Sequence, residues 1–362
     1  MMINTIRAAV LEENQRVVVT NSPRVELLPD ECEVTVRAVG LCSSDIARAY
    51  GNGAYFYPLI MGHELAGTVT QVGSAINEEF KEGDRVCVFP LLPCFSCLAC
   101  EKKLYALCRD YDYYGSRRHG GFSEKLNVKA WNILKLPDEV ALDDGALIEP
   151  TAVVLHAIEK LAVEKNKPSK ICLLGAGFMG LIAVQILSRF YPDCEVFLAD
   201  RNEFKLDIGS DLGAECRWIG SVNAFEDFLL EYDGCFDYVI EFAGTPETFS
   251  GAVRLAAQNS KVLWVGNISG DLVLPRTQVS SILRKELTIL GVWNSIYKGD
   301  GVCDWSKAID LIHNGLRPSE LVTLRIGFDE LNETLGKLYA HKTRKSVFNT
   351  IKVLVDPKIT SE

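Results

Sequence analysis

The chain has 362 residues, of which 48% are hydrophobic and 24% charged, and its formal net charge at pH 7 is −10. This length and composition are typical of a globular protein with two domains or one large one. The excess of acidic residues argues against a nucleic-acid partner or an anionic membrane surface. The chain has twelve cysteines, and its first residues lack the apolar core of a secretory signal. These two features predict reduced thiols and a cytoplasmic protein.

The first part of the chain is predicted to form short, valine-rich strands separated by turn residues. Strands are predicted at 6–11, 16–20, 33–39, 65–72 and 85–88. Helical periodicity is scarce before Pro150. This stretch therefore predicts a strand-dominated unit.

Four potential metal ligands are spread through this first part: Cys42, His63, Glu64 and Glu149. A thiolate, an imidazole and one or two carboxylates suit a Zn²⁺ ion that keeps an open position. Each residue also has an ordinary alternative, as a small core cysteine or as a structural or solvated polar group. Sequence spacing alone does not bring these residues together, so the site stays a hypothesis at this point.

A denser cysteine cluster follows, with the spacing C-x₂-C-x₂-C-x₇-C. Its members are Cys94, Cys97, Cys100 and Cys108. Such a run lets four thiolates converge on one tetrahedral Zn²⁺ with no position left for substrate, which predicts a structural site. Disulfides and an iron–sulfur cluster are the alternatives, and disulfides suit small secreted chains better than this one.

From Pro150 the sequence alternates between helical and strand patterns. Helices are predicted at 151–164, 179–190, 203–212 and 247–257, and strands at 170–174, 195–199, 236–242, 261–266 and 287–293. This alternation predicts a parallel sheet covered on both faces. A further helix is predicted near 306–312, followed by polar segments and two late apolar strands.

A glycine-rich loop lies between the first strand and helix of this second part. It matches G-x-G-x-x-G, and the next strand ends in Asp200, where an acid would meet ribose hydroxyls. The residues expected to bind a dinucleotide are Gly175, Gly177, Phe178, Met179, Gly180, Asp200 and Arg201. Asp200 repels a 2′-phosphate and so favours NAD over NADP, while the cation of Arg201 weakens that preference. The alternative is a glycine-rich turn in an unrelated α/β domain.

These patterns, in this order, resemble the zinc-dependent medium-chain dehydrogenases, the group of alcohol, sorbitol and threonine dehydrogenases. The most specific segments are 62–67, the cysteine run, Glu149 with Pro150, and the loop 175–180. The resemblance covers nearly the whole chain and implies an α/β fold. A Rossmann doubly wound parallel sheet at 153–296 would be inserted in a GroES-like β-rich catalytic domain. That domain would comprise 1–152, with a zinc lobe at about 90–112, and 297–362.

The resemblance also implies roles for the candidate residues. Cys42, His63 and Glu64 would hold a catalytic zinc, Glu149 would be a further or alternating ligand, and the four clustered cysteines would hold a second zinc. Ser44 matches a hydroxyl that starts the family's proton relay, with a turn-capping serine as the alternative. Asp45 matches the carboxylate that orients the histidine ligand, with a solvated acid as the alternative.

One position departs from the family pattern. Ala47 stands where liver-type alcohol dehydrogenases carry a relay histidine, so the proton must leave by another path. His156 is available, but its place in a predicted helix favours a structural role.

Substrate residues are suggested by a closer similarity to polyol-phosphate enzymes, carried by segments 52–58, 90–95, 113–121 and 283–288. Arg117 and Arg118 suit a phosphate, although they could instead pair with surface acids. Trp293 and Asn294 lie where the family places pocket residues, and Trp293 could equally belong to an interface. The resemblance implies hydride transfer between NAD and a polyol phosphate, with galactitol 1-phosphate, giving tagatose 6-phosphate, as the leading candidate. It also implies a dimer or tetramer.

Three other functions were weighed against this one. An unphosphorylated polyol or short diol is the nearest alternative substrate. A non-catalytic dinucleotide-binding module is a different class, which the presence of Cys42, His63 and Glu64 disfavours. A zinc-knuckle protein that binds nucleic acid needs a basic face, which the acidic balance disfavours.

Overall fold

The computed structural model describes residues 5–299 and 301–360. The chain divides into two compact units, one comprising 1–152 with 296–362 and the other comprising 153–295. They are called the discontinuous unit and the inserted unit below. None of the helices in the described ranges is long and apolar enough to span a membrane.

Eighteen strands are formed within the described residues. They are β1 (Thr5–Glu13), β2 (Arg16–Pro23), β3 (Glu31–Gly40), β4 (Leu59–Ile60), β5 (Glu64–Val72), β6 (Arg85–Val88), β7 (Leu91–Leu92), β8 (Asp112–Tyr113), β9 (Lys125–Lys129), β10 (Ile133–Lys135), β11 (Ser169–Leu174), β12 (Cys194–Asp200), β13 (Glu215–Trp218), β14 (Phe236–Glu241), β15 (Ala256–Trp264), β16 (Thr288–Gly291), β17 (Val322–Ile326) and β18 (Lys352–Val355).

Eleven α-helices accompany these strands in the same described ranges. They are α1 (Ser43–Tyr50), α2 (Leu98–Glu101), α3 (Leu142–Ala146), α4 (Ile148–Leu161), α5 (Phe178–Phe190), α6 (Glu203–Asp211), α7 (Val222–Glu231), α8 (Pro246–Leu255), α9 (Arg276–Arg284), α10 (Asp304–His313) and α11 (Leu331–Lys342). Short 3₁₀ turns lie at Tyr105–Leu107, Ala130–Asn132, Pro318–Leu321 and Phe328–Glu330.

The discontinuous unit is built on a mainly antiparallel sheet whose strands run in the order β10-β6-β5-β3-β18-β17, with β9 also paired to β3. A smaller sheet has the order β2-β1-β4. Inward-facing residues such as Val34, Val36, Val69 and Phe122 form one buried core between these elements. The last strand, β18, is antiparallel to β3 and places Leu354 opposite Gly40. The end of the chain thereby supports the strand that leads into Cys42.

The inserted unit contains a six-stranded sheet in the order β13-β12-β11-β14-β15-β16, and every neighbouring pair is parallel. Numbered within the unit, this order is 3-2-1-4-5-6, the arrangement of dinucleotide-binding Rossmann folds. Ile171 through Leu174 on the central strand are fully buried, so both faces of that strand are covered. The topology reverses between β11 and β14, and the loop that begins at Gly175 lies at that point.

Several elements differ from the sequence-based expectation. Helices α1, α2 and α3 occur before Pro150, where helical periodicity is scarce. α4 begins at Ile148 rather than Thr151, so Pro150 lies in its first turn, where a missing N–H is tolerated. β13, α9 and α11 were not predicted, because β13 has only four residues and both helices are largely polar, so they give little periodic signal. α7 was also not predicted, although its sequence is amphipathic.

Candidate functional site

The clustered cysteines converge at one point in the discontinuous unit. The Sγ–Sγ distances are 3.5 Å for Cys94–Cys108, 3.6 Å for Cys97–Cys100, and 3.9 Å for both Cys94–Cys100 and Cys97–Cys108. Four sulfurs about 2.3 Å from one tetrahedral Zn²⁺ would be about 3.8 Å apart, whereas a disulfide needs about 2.05 Å. Hydrogen bonds from the backbone and side chain of Ser96 lower the pKa of Cys94 and so favour its thiolate. These four residues fit one tetrahedral ion and no disulfide.

A second group of possible ligands forms where β3 and β5 pair. One ligand atom each from Cys42, His63 and Glu64 lies within 4.8 Å of the others. The sheet register explains this grouping, because Gly40 at the end of β3 lies opposite Glu64 at the start of β5. Cys42 follows β3 as the N-cap of α1, and its Sγ accepts a 3.5 Å hydrogen bond from the backbone N–H of Ser44.

Asp45 holds this group from the side of α1. Its Oδ1 lies 3.5 Å from His63 Nδ1 and 2.9 Å from a guanidinium nitrogen of Arg48, and its Oδ2 accepts a hydrogen bond from the Cys42 N–H. Burial favours the neutral acid, but the charges of His63 and Arg48 and these hydrogen bonds hold the pKa of Asp45 below its usual value. The contact orients the imidazole with Nδ1 toward the carboxylate and leaves Nε2 for a metal.

The residues of this group fit a zinc ion. His63 Nδ1 faces Asp45 and Glu64 Oε2 faces Lys352, so the second ring nitrogen of His63 and the second carboxylate oxygen of Glu64 are the atoms left for an ion. A thiolate, an imidazole and a carboxylate are a typical zinc donor set with a position left open.

Glu149 lies next to this group but outside its compact ligand set. Its Oε1 accepts a 3.3 Å hydrogen bond from the hydroxyl of Tyr113, whose ring meets that of His63 edge-on at 5.7 Å between centroids. Burial, with the nearby charge of Glu64, raises the pKa of Glu149 to about 7, and His63 and Lys352 partly oppose this shift. Tyr113 was not singled out from the sequence. In the sequence it stands only as the first residue of segment 113–121, which carries the closer similarity to polyol-phosphate enzymes.

The predicted dinucleotide loop lies at the carboxyl edge of the inserted sheet. Gly175 has φ +111°, and a Cβ there would lie 2.8 Å from Ala243 N. A Cβ on Gly180 would lie 2.0 Å from Gly175 O, whereas a Cβ on Gly177 would meet open space. The first and third glycines are thus needed for close packing. The second leaves the N-terminus of α5, which begins at Phe178, open to a phosphate.

Asp200 ends β12 beside this loop. Its Oδ2 accepts a 2.6 Å hydrogen bond from Ala176 N and its Oδ1 a 2.8 Å hydrogen bond from Asn202 N. The carboxylate is therefore fixed at the end of the strand, next to the glycine loop. Arg201 is exposed, and its carbonyl accepts a hydrogen bond from the indole of Trp218.

Comparison with known proteins gives two domain matches in this chain. Residues 28–138 match the alcohol dehydrogenase GroES-like domain, and residues 179–314 match the zinc-binding dehydrogenase domain. The chain is 37% identical to galactitol 1-phosphate 5-dehydrogenase of Escherichia coli strain K12, over 73% of this chain and 76% of that protein. The chain belongs to the zinc-dependent medium-chain dehydrogenases. The predictions of the family and of its fold are confirmed.

Two further similarities describe the breadth of this family. The dehydrogenase is 35% identical to D-altritol 5-dehydrogenase of Agrobacterium fabrum, over 77% of this chain and 81% of that protein. A solved structure described as a zinc-binding dehydrogenase from Sinorhizobium meliloti 1021, bound to NADP, superposes with a TM-score of 0.86. It is 27% identical and covers 98% of this chain and 100% of its own.

The two arginines predicted to bind substrate have different surroundings in this dehydrogenase. Arg117 lies between the rings of Tyr111 and Tyr55, at 4.2 and 4.9 Å, and lines a cavity of about 570 Å³. Arg118 forms a 3.1 Å ion pair with Asp112 and is not among the residues that line the cavity. The structure therefore separates the two guanidinium groups instead of presenting them as one fork.

The remaining predicted residues have less defined settings. Trp293 follows β16 and is 62% exposed, and Asn294 has φ +58° with its Oδ1 accepting a hydrogen bond from Ser295 N. Ser44 is exposed in the first turn of α1, and Ala47 lies one turn later. His156 is half-buried in α4.

Proposed function

We propose that this dehydrogenase transfers hydride between NAD and a polyol phosphate, with galactitol 1-phosphate as the leading substrate. In the oxidative direction a secondary alcohol loses a hydride from carbon to NAD⁺ and a proton from oxygen. The products are a keto-sugar phosphate, NADH and a proton. The similarity to an enzyme named for galactitol 1-phosphate supports this choice of substrate.

Cys42, His63 and Glu64 are the proposed ligands of a catalytic Zn²⁺, with Glu149 able to join or replace one of them. An ion held by these residues would supply Lewis-acid chemistry, which would lower the pKa of a substrate alcohol. Asp45 keeps the imidazole of His63 in the orientation that offers its second nitrogen. Ser44 is proposed to accept the alcohol proton and pass it to water, because Ala47 has no group that titrates.

Cofactor binding is proposed at the glycine loop of the inserted unit. The loop N–H groups and the N-terminus of α5 suit the pyrophosphate, which would lie against Gly175, Gly177, Phe178, Met179 and Gly180. Asp200 suits the hydroxyls of an adenosine ribose and repels a 2′-phosphate, which favours NAD. Arg201 is exposed next to it and is the residue that could admit some NADP.

Arg117 is proposed to bind the phosphate of the substrate, with Arg118 in a lesser role. This assignment is supported by the cavity beside Arg117, and the buried Nε of this residue has no hydrogen-bond partner within the described residues. The stacked tyrosines fix the plane of the guanidinium and so suit it to a phosphate. Trp293 and Asn294 are proposed to contact the carbon chain.

The observation that carries the proposal is the grouping of Cys42, His63 and Glu64 in a chain of this family. The test is a panel of polyols and their phosphate esters, each assayed by NADH absorbance. We expect turnover of polyol phosphates, and an Arg117→Met variant should raise KM for the ester by about tenfold or more while sparing neutral polyols. Arg118→Met is the matched control and should have the smaller effect. Equal losses on both substrate classes would remove the phosphate role.

An unphosphorylated polyol is the second candidate. Asp110 and Asp112 line the same cavity as Arg117, and carboxylates accept hydrogen bonds from hydroxyls while repelling phosphate. The similarity to an altritol dehydrogenase points the same way. Preferential turnover of free polyols in the panel would favour this candidate.

Metal content and assembly complete the proposal. Two Zn²⁺ ions per chain are expected, one for each ligand group, and a metal count distinguishes the enzyme from a binding module that holds one. Assembly into a dimer or tetramer is proposed from the family resemblance, and light scattering would measure it.

A further inference from the structure

A buried lysine contacts one of the proposed zinc ligands. The ammonium of Lys352 lies in ion-pair contact with Glu64 Oε2, and the two side chains are 5% and 1% exposed. Lysine and glutamate are rarely buried to this degree unless they are paired. Taking both charges out of water is expensive, so such a pair is weak evidence for stability alone.

The fold explains how a residue near the end of the chain reaches this site. Lys352 is the first residue of β18, which pairs with β3 two residues further on. Its Nζ also donates a 3.2 Å hydrogen bond to the carbonyl of Leu41, the residue before Cys42. A single ammonium thus contacts Glu64 and the backbone that leads into Cys42.

The space around the Glu64 carboxylate is restricted. A Cβ placed on Gly40 would lie 2.0 Å from Glu64 Oε2, so the carboxylate occupies the volume above this glycine. Glycine at position 40 is required for the present position of the carboxylate.

The charges of the site are balanced by this lysine. Cys42 as a thiolate and the carboxylate of Glu64 carry two negative charges, and Glu149 adds a third when it is ionised. Asp45 is already paired with Arg48. Lys352 supplies the remaining positive charge, and its charge also acts on Glu149.

We propose that Lys352 is a positioning residue that competes with the catalytic metal for the carboxylate of Glu64. The inference rests on the proposed metal site at Cys42, His63 and Glu64. By holding one oxygen of Glu64, the ammonium keeps the carboxylate from using both oxygens on the ion. It thereby preserves the position needed by a substrate alcohol.

The test uses Lys352→Met, which keeps the length of the side chain and removes its charge. The released carboxylate should bind the metal more fully, so loss of the catalytic ion to a chelator should become slower, whereas a lysine that only orients Glu64 as a ligand would make that loss faster when removed. In protein carrying Co²⁺ at this site, the visible absorption should weaken and shift as the coordination number rises. Lys352→Arg retains the charge and should restore both properties toward those of the unmodified protein.

Lys125→Met is the matched control, because Lys125 forms a 2.7 Å ion pair with buried Glu33 in the same unit. This variant should lose stability but keep the Co²⁺ spectrum and the chelator rate. In Glu64→Gln protein, adding Lys352→Met should have no further effect on either property.

The inference would be overturned if folded Lys352→Met protein kept the Co²⁺ spectrum and the chelator rate of the unmodified protein. It would also be overturned if Lys125→Met caused the same changes as Lys352→Met. If Lys352→Met does not fold, Lys352→Gln gives the same reading with a neutral hydrogen-bonding group. If the unmodified protein holds only one zinc ion, the proposed catalytic site itself fails, which is a distinct outcome.

Discussion

Tyr113 donates a hydrogen bond of 3.3 Å to Glu149 and at the same time places its ring edge-on to His63. The tyrosine follows the cysteine lobe in sequence, whereas Glu149 lies in the first turn of α4. One side chain therefore links the segment after the four clustered cysteines to two residues of the proposed catalytic group. His63 and Glu149 are buried, whereas Tyr113 is half-buried.

Removal of this hydroxyl should weaken catalysis without removing a ligand. In Tyr113→Phe protein, Glu149 loses a donor, and we expect kcat/KM to fall by up to about tenfold, the range of one hydrogen bond. Tyr114→Phe is the control, because its hydroxyl accepts a hydrogen bond from Lys129 N away from the metal group. Equal losses in the two variants would contradict a specific role for Tyr113.

Glu33 should make stability depend on pH. Burial opposes its charge, but Lys125, Thr70 and Arg24 bind the carboxylate and lower its pKa below the usual value. Its stabilising contribution is therefore complete above about pH 5, the range in which an unfolded glutamate is ionised, and is lost as pH falls through the lower folded pKa.

We expect Glu33→Gln to lower the free energy of unfolding at pH 7 by about 1–3 kcal/mol, with the difference shrinking as pH falls through the lowered pKa of Glu33. Urea unfolding at several pH values measures this. Glu82→Gln, at an exposed position, should show no such trend. A difference that persists unchanged at pH 3 would mean that the ion pairs are not its source.

The cysteine lobe should stabilise the fold through its metal. In Cys97→Ser protein the zinc content should fall by one ion per chain, and the thermal midpoint should drop by about 5 °C or more. Cys235→Ser is the control, since Cys235 is exposed and outside both ligand groups. Metal analysis and calorimetry measure both quantities, and an unchanged zinc content would refute a metal at this lobe.

Asp200 should set the choice of dinucleotide. Replacing it by serine removes the charge that repels a 2′-phosphate, so KM for NAD should rise about tenfold and KM for NADP should fall. Asp200→Asn separates charge from hydrogen bonding, because the amide oxygen can still accept from the backbone. Kinetics with both cofactors measure the switch, and an unchanged ratio of the two KM values would exclude the proposed role.

Much of the fold could be predicted from sequence, because the residues that determine these elements are adjacent in the chain. The glycine loop and the buried strand before it are contiguous, and β11 and α5 formed within a residue or so of their predicted bounds. The cysteine run is also local, so its convergence follows from spacing. α1 has only eight residues, and its N-cap is Cys42, a candidate metal ligand rather than a usual capping residue. Its sequence therefore gives little helical signal.

The grouping of Cys42, His63 and Glu64 was harder to predict from the sequence. Its geometry depends on the register between strands that are far apart in the chain. Cys42 and Glu64 meet through the pairing of β3 with β5, which no short window of sequence reveals. Lys352 appeared only as a charged residue at the head of a late apolar strand. The family resemblance grouped the ligands, whereas the contacts of Tyr113 and Lys352 required the structure.

The position of β18 has a consequence for the newly synthesised protein. Lys352 and Leu41 are separated by 311 positions, so β3 cannot gain this neighbour until almost the whole chain has left the ribosome. At about 5–20 residues per second, that delay is roughly 15–60 s. The parallel sheet at 169–291 can assemble during this interval. The region around Cys42 and Glu64 lacks β18 until the interval ends. A nascent chain arrested before Lys352 would therefore carry an assembled parallel sheet in the inserted unit, while the discontinuous unit would still lack the strand that supports Cys42.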